Sequence, residues 1–168
     1  MIRVLGIDPG SRATGYGIID IAGVEGVYVD SGVIRVGDGP MPERLYAIHS
    51  ALGTIIEQYR PTVAAVESVF MRNNASSALK LGQARGVALC AAAAAGLPVS
   101  EYAPAAIKQA IVGRGRAEKA QVQHMVTALL KLPRQPAEDA ADALAAALCH
   151  CRTGTTLDRI GTALEARP

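Results

Sequence analysis

The sequence lacks an apolar run long enough to cross a membrane, because its longest stretch of small residues, 91–96, is far shorter than the roughly 20 residues that a spanning helix needs. Its first residues reach Asp8 and a proline before the apolar core of a signal peptide could form. The cysteines are odd in number and lack the spacing of zinc ligands: Cys90, Cys149 and Cys151. These absences favour a cytoplasmic protein with reduced thiols and no membrane contact.

An excess of charge of one sign is also absent. The chain has 17 Lys and Arg against 15 Asp and Glu, a formal net charge of +2. If four of these acids bind metal, the basic residues outnumber the acids that remain. A small net charge is therefore compatible with a basic binding face, and an ordinary mixed-charge surface is the alternative.

Hydrophobic periodicity predicts a single α/β domain without repeats or linkers. Apolar, β-branched segments bounded by Gly and Pro predict five strands, at 2–8, 13–20, 26–36, 62–67 and 99–102. Helical spacing predicts five helices, at 42–59, 74–96, 104–112, 118–132 and 138–152. The order predicts an antiparallel three-strand meander followed by parallel strands, in a mixed five-stranded sheet with helices on both faces. Residues 153–168 are expected to form a frayed C-terminal tail.

Two predicted strands end in a carboxylate. Asp8 closes an apolar strand, and Glu67 closes the run 62–67 in the same way. A buried, unpaired carboxylate is costly, so each of these acids needs a partner or a metal ion. If the two strands are parallel neighbours, both carboxylates lie at the same edge of the sheet, where ligand sites of α/β sheets cluster.

Asp139 and Asp142 are three residues apart at the start of the last predicted helix, so they share one face, roughly 5–6 Å apart at Cβ. The rest of that helix, 140–149, is almost wholly apolar, which favours a functional interpretation for Asp142. For Asp139 two interpretations stay open, because acids in a first helical turn also stabilise the helix dipole.

Four oxygen donors without paired histidines suit hard ions such as Mg²⁺ or Mn²⁺. Two such ions roughly 3.5–4 Å apart can activate water and stabilise the leaving oxygen in phosphodiester hydrolysis. By spacing alone, the four acids could also serve another phosphoryl transfer.

Several motifs resemble one family. Residues 6–17 read GIDPGSRATGYG, residues 67–71 read ESVFM, and residues 73–86 read NNASSALKLGQARG. Residues 112–113 (VG), 117–119 (AEK), 121–126 (QVQHMV) and 139–145 (DAADALA) follow in order. This pattern, over roughly residues 1–151, resembles the RuvC Holliday junction resolvases of the ribonuclease H-like superfamily. The resemblance implies a nuclease domain at 1–152 and a separate tail at 153–168.

The resemblance also implies a function in DNA recombination and repair. It implies a homodimeric endonuclease that nicks four-way DNA junctions symmetrically, with Asp8, Glu67, Asp139 and Asp142 as catalytic metal ligands for two Mg²⁺ or Mn²⁺ ions. It further implies contact with the RuvA–RuvB branch-migration complex. The long helix 74–96, rich in small residues, is expected to carry dimerisation, although packing within its own chain would suit it equally well.

Phe70, the only phenylalanine, is expected from the resemblance to stack on an unpaired base; otherwise it would be a core aromatic at a strand end. Lys108 and Lys119 match family residues near the cut phosphate. Loop arginines at 114 and 116 could follow phosphates or simply be solvated. The full set of expected DNA contacts is Phe70, Lys108, Arg114, Arg116, Lys119, Arg12, Arg72, Lys80 and Arg85.

Two other functions are compatible with parts of the pattern. An actin-like or sugar-kinase-like ATPase also begins with a strand followed by Asp-x-Gly-Ser/Thr, but the chain shows no second phosphate loop or adenosine motif. A DNA-binding module without catalysis is the second alternative, and the presence of all four acids argues against it.

Overall fold

The computed structural model describes residues 2–23, 25–68 and 74–165, with side chains as far as residue 153. Phe70 and Arg72 lie outside the described residues. The strands are β1 Ile2–Asp8, β2 Ala13–Ala22, β3 Glu25–Arg35, β4 Val63–Glu67 and β5 Val99–Tyr102. The helices are α1 Met41–Tyr59, α2 Ala75–Ala94, α3 Pro104–Val112, α4 Lys119–Leu129 and α5 Glu138–Glu165.

The strands form one mixed sheet in the order β3-β2-β1-β4-β5. β1, β2 and β3 make the predicted antiparallel meander, and β4 joins β1 in parallel, with β5 parallel to β4. The parallel register pairs Ile7 with Val66. The predicted α/β architecture is therefore confirmed, and the carboxyl ends of β1 and β4 lie side by side.

Two apolar clusters cover the two faces of the sheet, because alternate residues of each strand point to opposite sides. On one face Leu5 and Ile18 pack with the α1 residues Ile48 and Leu52 and with alanines of α2. The opposite face, to which Val4 belongs, is covered by α3, α4 and α5. The sheet is thus buried on both sides.

Helix α5 lies directly on the backbone of β1 and β2, because glycines face it. A Cβ atom added to Gly6 would overlap the Ala143 carbonyl, and one added to Gly15 would overlap the carbonyl of Asp139. At Gly17 the added atom would lie 2.7 Å from the Leu144 side chain. The glycines let α5 approach the strands more closely than any side chain would allow.

The predicted boundaries differ most at the C-terminus. Helix α5 continues to Glu165, so the expected helix end at residue 152 and frayed tail from residue 153 are wrong as descriptions of the backbone. The division into a nuclease domain at 1–152 and a tail stays a prediction. None of the helices described is long and apolar enough to span a membrane.

Candidate active site

Asp8 and Glu67 lie together at the ends of β1 and β4. Asp8 follows Ile7, and Glu67 follows Val66. Because Ile7 and Val66 are paired in the parallel register, the two carboxylates lie side by side. Burial, the charge of Glu67, a hydrogen bond with its carboxyl, and the charges of Asp142 and Asp139 together raise the pKa of Asp8 to about 9. Without a cation, this site therefore favours the protonated form of Asp8.

The first turns of α5 bring the other two acids to the same place. Asp142 lines a cleft with Asp8 and Glu67. Burial raises the pKa of Asp142 to about 6, although the nearby charge of Lys119 opposes this shift. The charge of Asp139 contributes to the raised pKa of both Asp8 and Asp142, although Asp139 does not line the cleft itself. Three of the four predicted acids thus line one cleft, with Asp139 close enough for its charge to affect two of them.

Lys119, the first residue of α4, provides a positive charge beside this cluster. Its ammonium group bonds to the carboxylate of Glu138 and lies 3.8 Å from the carboxylate of Asp142. The hydrogen bond with Glu138 raises the pKa of Lys119, so the group is firmly cationic. The side chain remains 67% exposed and can turn towards a ligand in the cleft.

The donor chemistry of the cluster fits hard divalent ions, because all four groups are carboxylates. Closely spaced carboxylates in a poorly solvated cleft raise one another's pKa, and a bound cation relieves that repulsion. In the part of the chain that is described, no three His, Cys, Asp or Glu side chains converge as ligands of a single ion. The fold thus brings the acids near one another without arranging three of them as one ligand set among the described residues.

The turn after Asp8 is fixed by two contacts. The buried Thr14 hydroxyl donates to the Gly10 carbonyl at 2.9 Å and accepts from the Gly10 N–H at 3.3 Å. Arg44, only 9% exposed, reaches from α1 and donates from Nε and Nη2 to the Ser11 carbonyl. Arg44 was missed at the sequence level. Its signal was a charge on the apolar face of α1, one turn before Ile48.

Two of the predicted DNA contacts, Lys108 and Lys119, line the cleft of the acids, which encloses about 690 Å³. Arg114 and Arg116 are exposed in the loop between α3 and α4, whose Gly115 also lines the cleft. The structure therefore places the two lysines on the wall of the cleft and the loop of the two arginines at its border.

The other predicted DNA contacts lie elsewhere. Arg12 is exposed and pairs with Asp38 at 2.6 Å, and Lys80 is exposed on α2. Arg85 is partly buried and forms an ion pair with Glu101. Phe70 and Arg72 cannot be located because they are outside the described residues.

The Cys-His-Cys segment at 149–151 lies in the interior. The thiols of Cys149 and Cys151 are buried, and burial raises the pKa of both. His150 Nδ1 is 2.8 Å from the Tyr102 hydroxyl, which ties α5 to the end of β5. These groups hold the helix on the sheet.

The sequence matches known proteins over nearly its whole length. A family model described as crossover junction endodeoxyribonuclease RuvC matches residues 4–150. A protein of that name from Shewanella amazonensis is 54% identical over 167 residues, which are 99% of this chain and 96% of the relative. Another, from Alkalilimnicola ehrlichii, is 59% identical over 150 residues, which are 89% of this chain and 91% of the relative.

Solved structures show the same fold. Thermus thermophilus RuvC is similar with a TM-score of 0.83 and 36% identity, covering 96% of this chain and 98% of that one. The T. thermophilus RuvC complex with a Holliday junction substrate gives a TM-score of 0.85 at 36% identity, covering 92% of this chain and 98% of that one.

Proposed function

Because this chain belongs to the RuvC family of crossover junction endodeoxyribonucleases, we propose that it resolves four-way DNA junctions by metal-dependent hydrolysis of phosphodiester bonds. The observation that carries the proposal is the convergence of Asp8, Glu67 and Asp142 in one cleft, with Asp139 beside them. The similar T. thermophilus protein has been solved with a Holliday junction, which supports the choice of substrate.

We propose that the four carboxylates hold two Mg²⁺ ions, with Mn²⁺ as a substitute. The ions would supply an activated water and stabilise the leaving oxygen during an in-line displacement. Asp8 must lose its proton to serve as a ligand, so the cation competes with the proton for this site. Lys108 and Lys119, on the wall of the same cleft, would attract the phosphate and offset its charge.

Symmetric cutting of two strands requires two active sites, and we propose that the protein acts as a homodimer. Helix α2 supports this proposal, because Leu79 is 72% exposed and Gly82 and Gly86 have open space where a Cβ would lie. A second copy could approach this surface closely. Membership of the family also leads us to propose contact with the RuvA–RuvB complex and action on DNA in the cytoplasm.

Base stacking by Phe70 and phosphate contacts by Arg114, Arg116, Arg12, Arg72, Lys80 and Arg85 complete the proposal. Among these residues, Arg114 and Arg116 are the best placed, because their loop at 113–118 borders the cleft. Arg85 is the least accessible, because the carboxylate of Glu101 already binds its guanidinium.

The test is to incubate the protein with a labelled four-way junction and with linear duplex of the same sequence, in Mg²⁺, Mn²⁺ or EDTA. We expect paired nicks in the junction alone, only with metal, that leave 5′-phosphate and 3′-hydroxyl ends. Asp142→Asn should remove cleavage, whereas Glu57→Gln, at an exposed acid on α1, should not. Equal cutting of linear duplex would contradict junction selectivity, and ATP hydrolysis without DNA would favour the ATPase alternative.

A further inference from the structure

A second groove lies on the other side of the first turn of α5. It runs between the edge strand β3 and the segment 132–137 that leads into α5, and encloses about 680 Å³. Its polar lining includes Tyr28, Ser31, Arg35, Arg134 and Gln135. Two of the described lining residues are arginines, and none is acidic.

Two acids near this groove, Asp30 and Asp38, bind other partners. Asp30, next to Ser31 on β3, accepts hydrogen bonds from the hydroxyls of Tyr16 and Tyr59, at 3.0 and 2.6 Å. These tyrosines belong to the α1 side of the sheet. The exposed Asp38 pairs with Arg12. On α5, Glu138 bonds to Lys119, and the charge of Asp139 acts on Asp8 and Asp142. Among the described residues that line the groove, the charged side chains are therefore those of Arg35 and Arg134.

Both arginines of the groove are available to a ligand. Arg35 stands between Ile34 and Val36, whose side chains pack on the α1 side, so its own side chain points to the α5 side. Arg35 and Arg134 are exposed, and no hydrogen bond or ion pair joins either side chain to another described residue. Exposed arginines placed in this way suit phosphate groups, which they bind with two parallel hydrogen bonds.

The groove lies next to the active site, although the two share no described lining residue. Ala137 and Ala140, which line it, flank Asp139 on the first turn of α5. Across the sheet, Asp8 pairs with Gly15 and Gly15 with Val33, which is two residues from Arg35. Two strand spacings across the sheet and two residues along β3 put the backbones of Asp8 and Arg35 about 12 Å apart. That distance corresponds to about three to four nucleotide steps of one DNA strand at 3.4 Å each.

We propose that this groove binds the phosphate backbone of the junction arm beside the cut phosphodiester, with Arg35 and Arg134 as the phosphate contacts. The inference rests on the proposed function and extends the DNA-binding surface past α5, to residues outside the expected contacts. A protein strand added to the open edge of β3 is the competing occupant. The two unpaired arginines and the nearness of the groove to the acids favour DNA.

The test compares the parent protein with the double variant Arg35→Ala/Arg134→Ala in binding a four-way junction in Ca²⁺ or EDTA. The logarithm of the association constant falls linearly with the logarithm of the salt concentration, and the loss of two phosphate contacts should make that slope shallower by about 1.8. The ratio of variant to parent Kd should therefore fall roughly 12-fold as salt rises fourfold. Because both arginines are exposed, the melting temperature should not change.

The matched control is Arg60→Asn, which removes an exposed arginine that precedes β4, at the opposite end of the sheet from the acids. Asn tolerates the left-handed conformation of this residue (φ 50°), so the change tests charge alone. Its salt slope should equal that of the parent. If the parent binds and cuts the junction but the double variant has an unchanged Kd and slope, the groove does not bind DNA. The proposed function would then still stand. A parent that does not bind the junction would overturn both.

Discussion

Substitution of Gly15 by alanine tests whether the close approach of α5 to β2 positions the active site. The new Cβ would overlap the carbonyl carbon and oxygen of Asp139 and lie 3.1 Å from the Ala140 nitrogen. All of these are backbone atoms, so no side chain can rotate to relieve the overlap. The added Cβ would lie 1.9 Å from the Asp139 oxygen, so the helix must retreat by about 1.5 Å to restore van der Waals contact.

The magnitude follows from that displacement. Overpacking of this kind costs about 1–3 kcal/mol of folding free energy, and each kcal/mol lowers the melting temperature by about 2–4 °C in a chain of this size. The effect on catalysis should be larger. A misplacement of about 1 Å can reduce a rate by roughly 100-fold, and here Asp139 and Asp142 would move away from Asp8 and Glu67.

Single-turnover cleavage of a four-way junction at saturating protein measures the catalytic step, and a binding titration in Ca²⁺ measures the junction Kd. We expect Gly15→Ala to slow cleavage by roughly 100-fold with little change in Kd. Gly53→Ala is the control, because nothing lies within 4 Å of the added Cβ and the residue is helical. It should leave cleavage unchanged and stabilise the chain by about 0.5–1 kcal/mol. Cleavage by Gly15→Ala at the parent rate would refute the reasoning.

Three further changes test the rest of the site. Arg44→Met keeps the buried stem but removes the hydrogen bonds to the Ser11 carbonyl. Chemical denaturation should show that the free energy of unfolding falls by about 1.5–3 kcal/mol, and single-turnover cleavage should slow more than junction binding weakens. Asp8→Asn should abolish cleavage while junction binding persists, and a simultaneous collapse of binding would show that Asp8 supports the fold. The raised pKa values of Asp8 and Asp142 mean that the folded chain holds more protons than the unfolded chain between about pH 4 and pH 9, so metal-free stability should fall as pH rises through that window. Melting curves should show Mg²⁺ stabilising the protein more at the upper end of that window than at the lower, and equal stabilisation throughout would exclude metal–proton competition.

Most of the sheet could be predicted because its determinants are local. The bounds of β1 and α3 follow from largely apolar runs that end at Pro9 and Gly113, where a turn or cap interrupts the pattern. The short β5 (VSEY) is bounded by Pro98 and by Ala103, the N-cap of α3. The end of α5 could not be predicted in the same way. Beyond Arg152 the polar stretch 153–156 (TGTT) interrupts the apolar pattern, although Leu157, Ile160 and Leu164 again recur at helical spacing.

The acids of the site were predictable for a different reason. A single charge at the end of an apolar strand is costly, and the pairing of Ile7 with Val66 turns two such local signals into one site. The hydrogen bond from Arg44 to the Ser11 carbonyl joins residues 33 apart, so no local pattern indicates it. The pairing of Lys119 with Glu138 likewise depends on how α4 packs beside α5.

The glycines of the first two strands determine where the acids of α5 lie. Because Gly6, Gly15 and Gly17 carry no side chains, α5 rests on the strand backbones, and its first turn reaches the end of β1. That approach brings Asp142 close to Asp8 and Glu67. Burial and the repulsion between the carboxylates then raise the pKa of Asp8 and of Asp142. The packing that stabilises the sheet thus also holds the carboxylates close together, and a divalent cation would relieve the repulsion between them. Stability without metal and affinity for metal should therefore change in opposite directions when these acids are replaced.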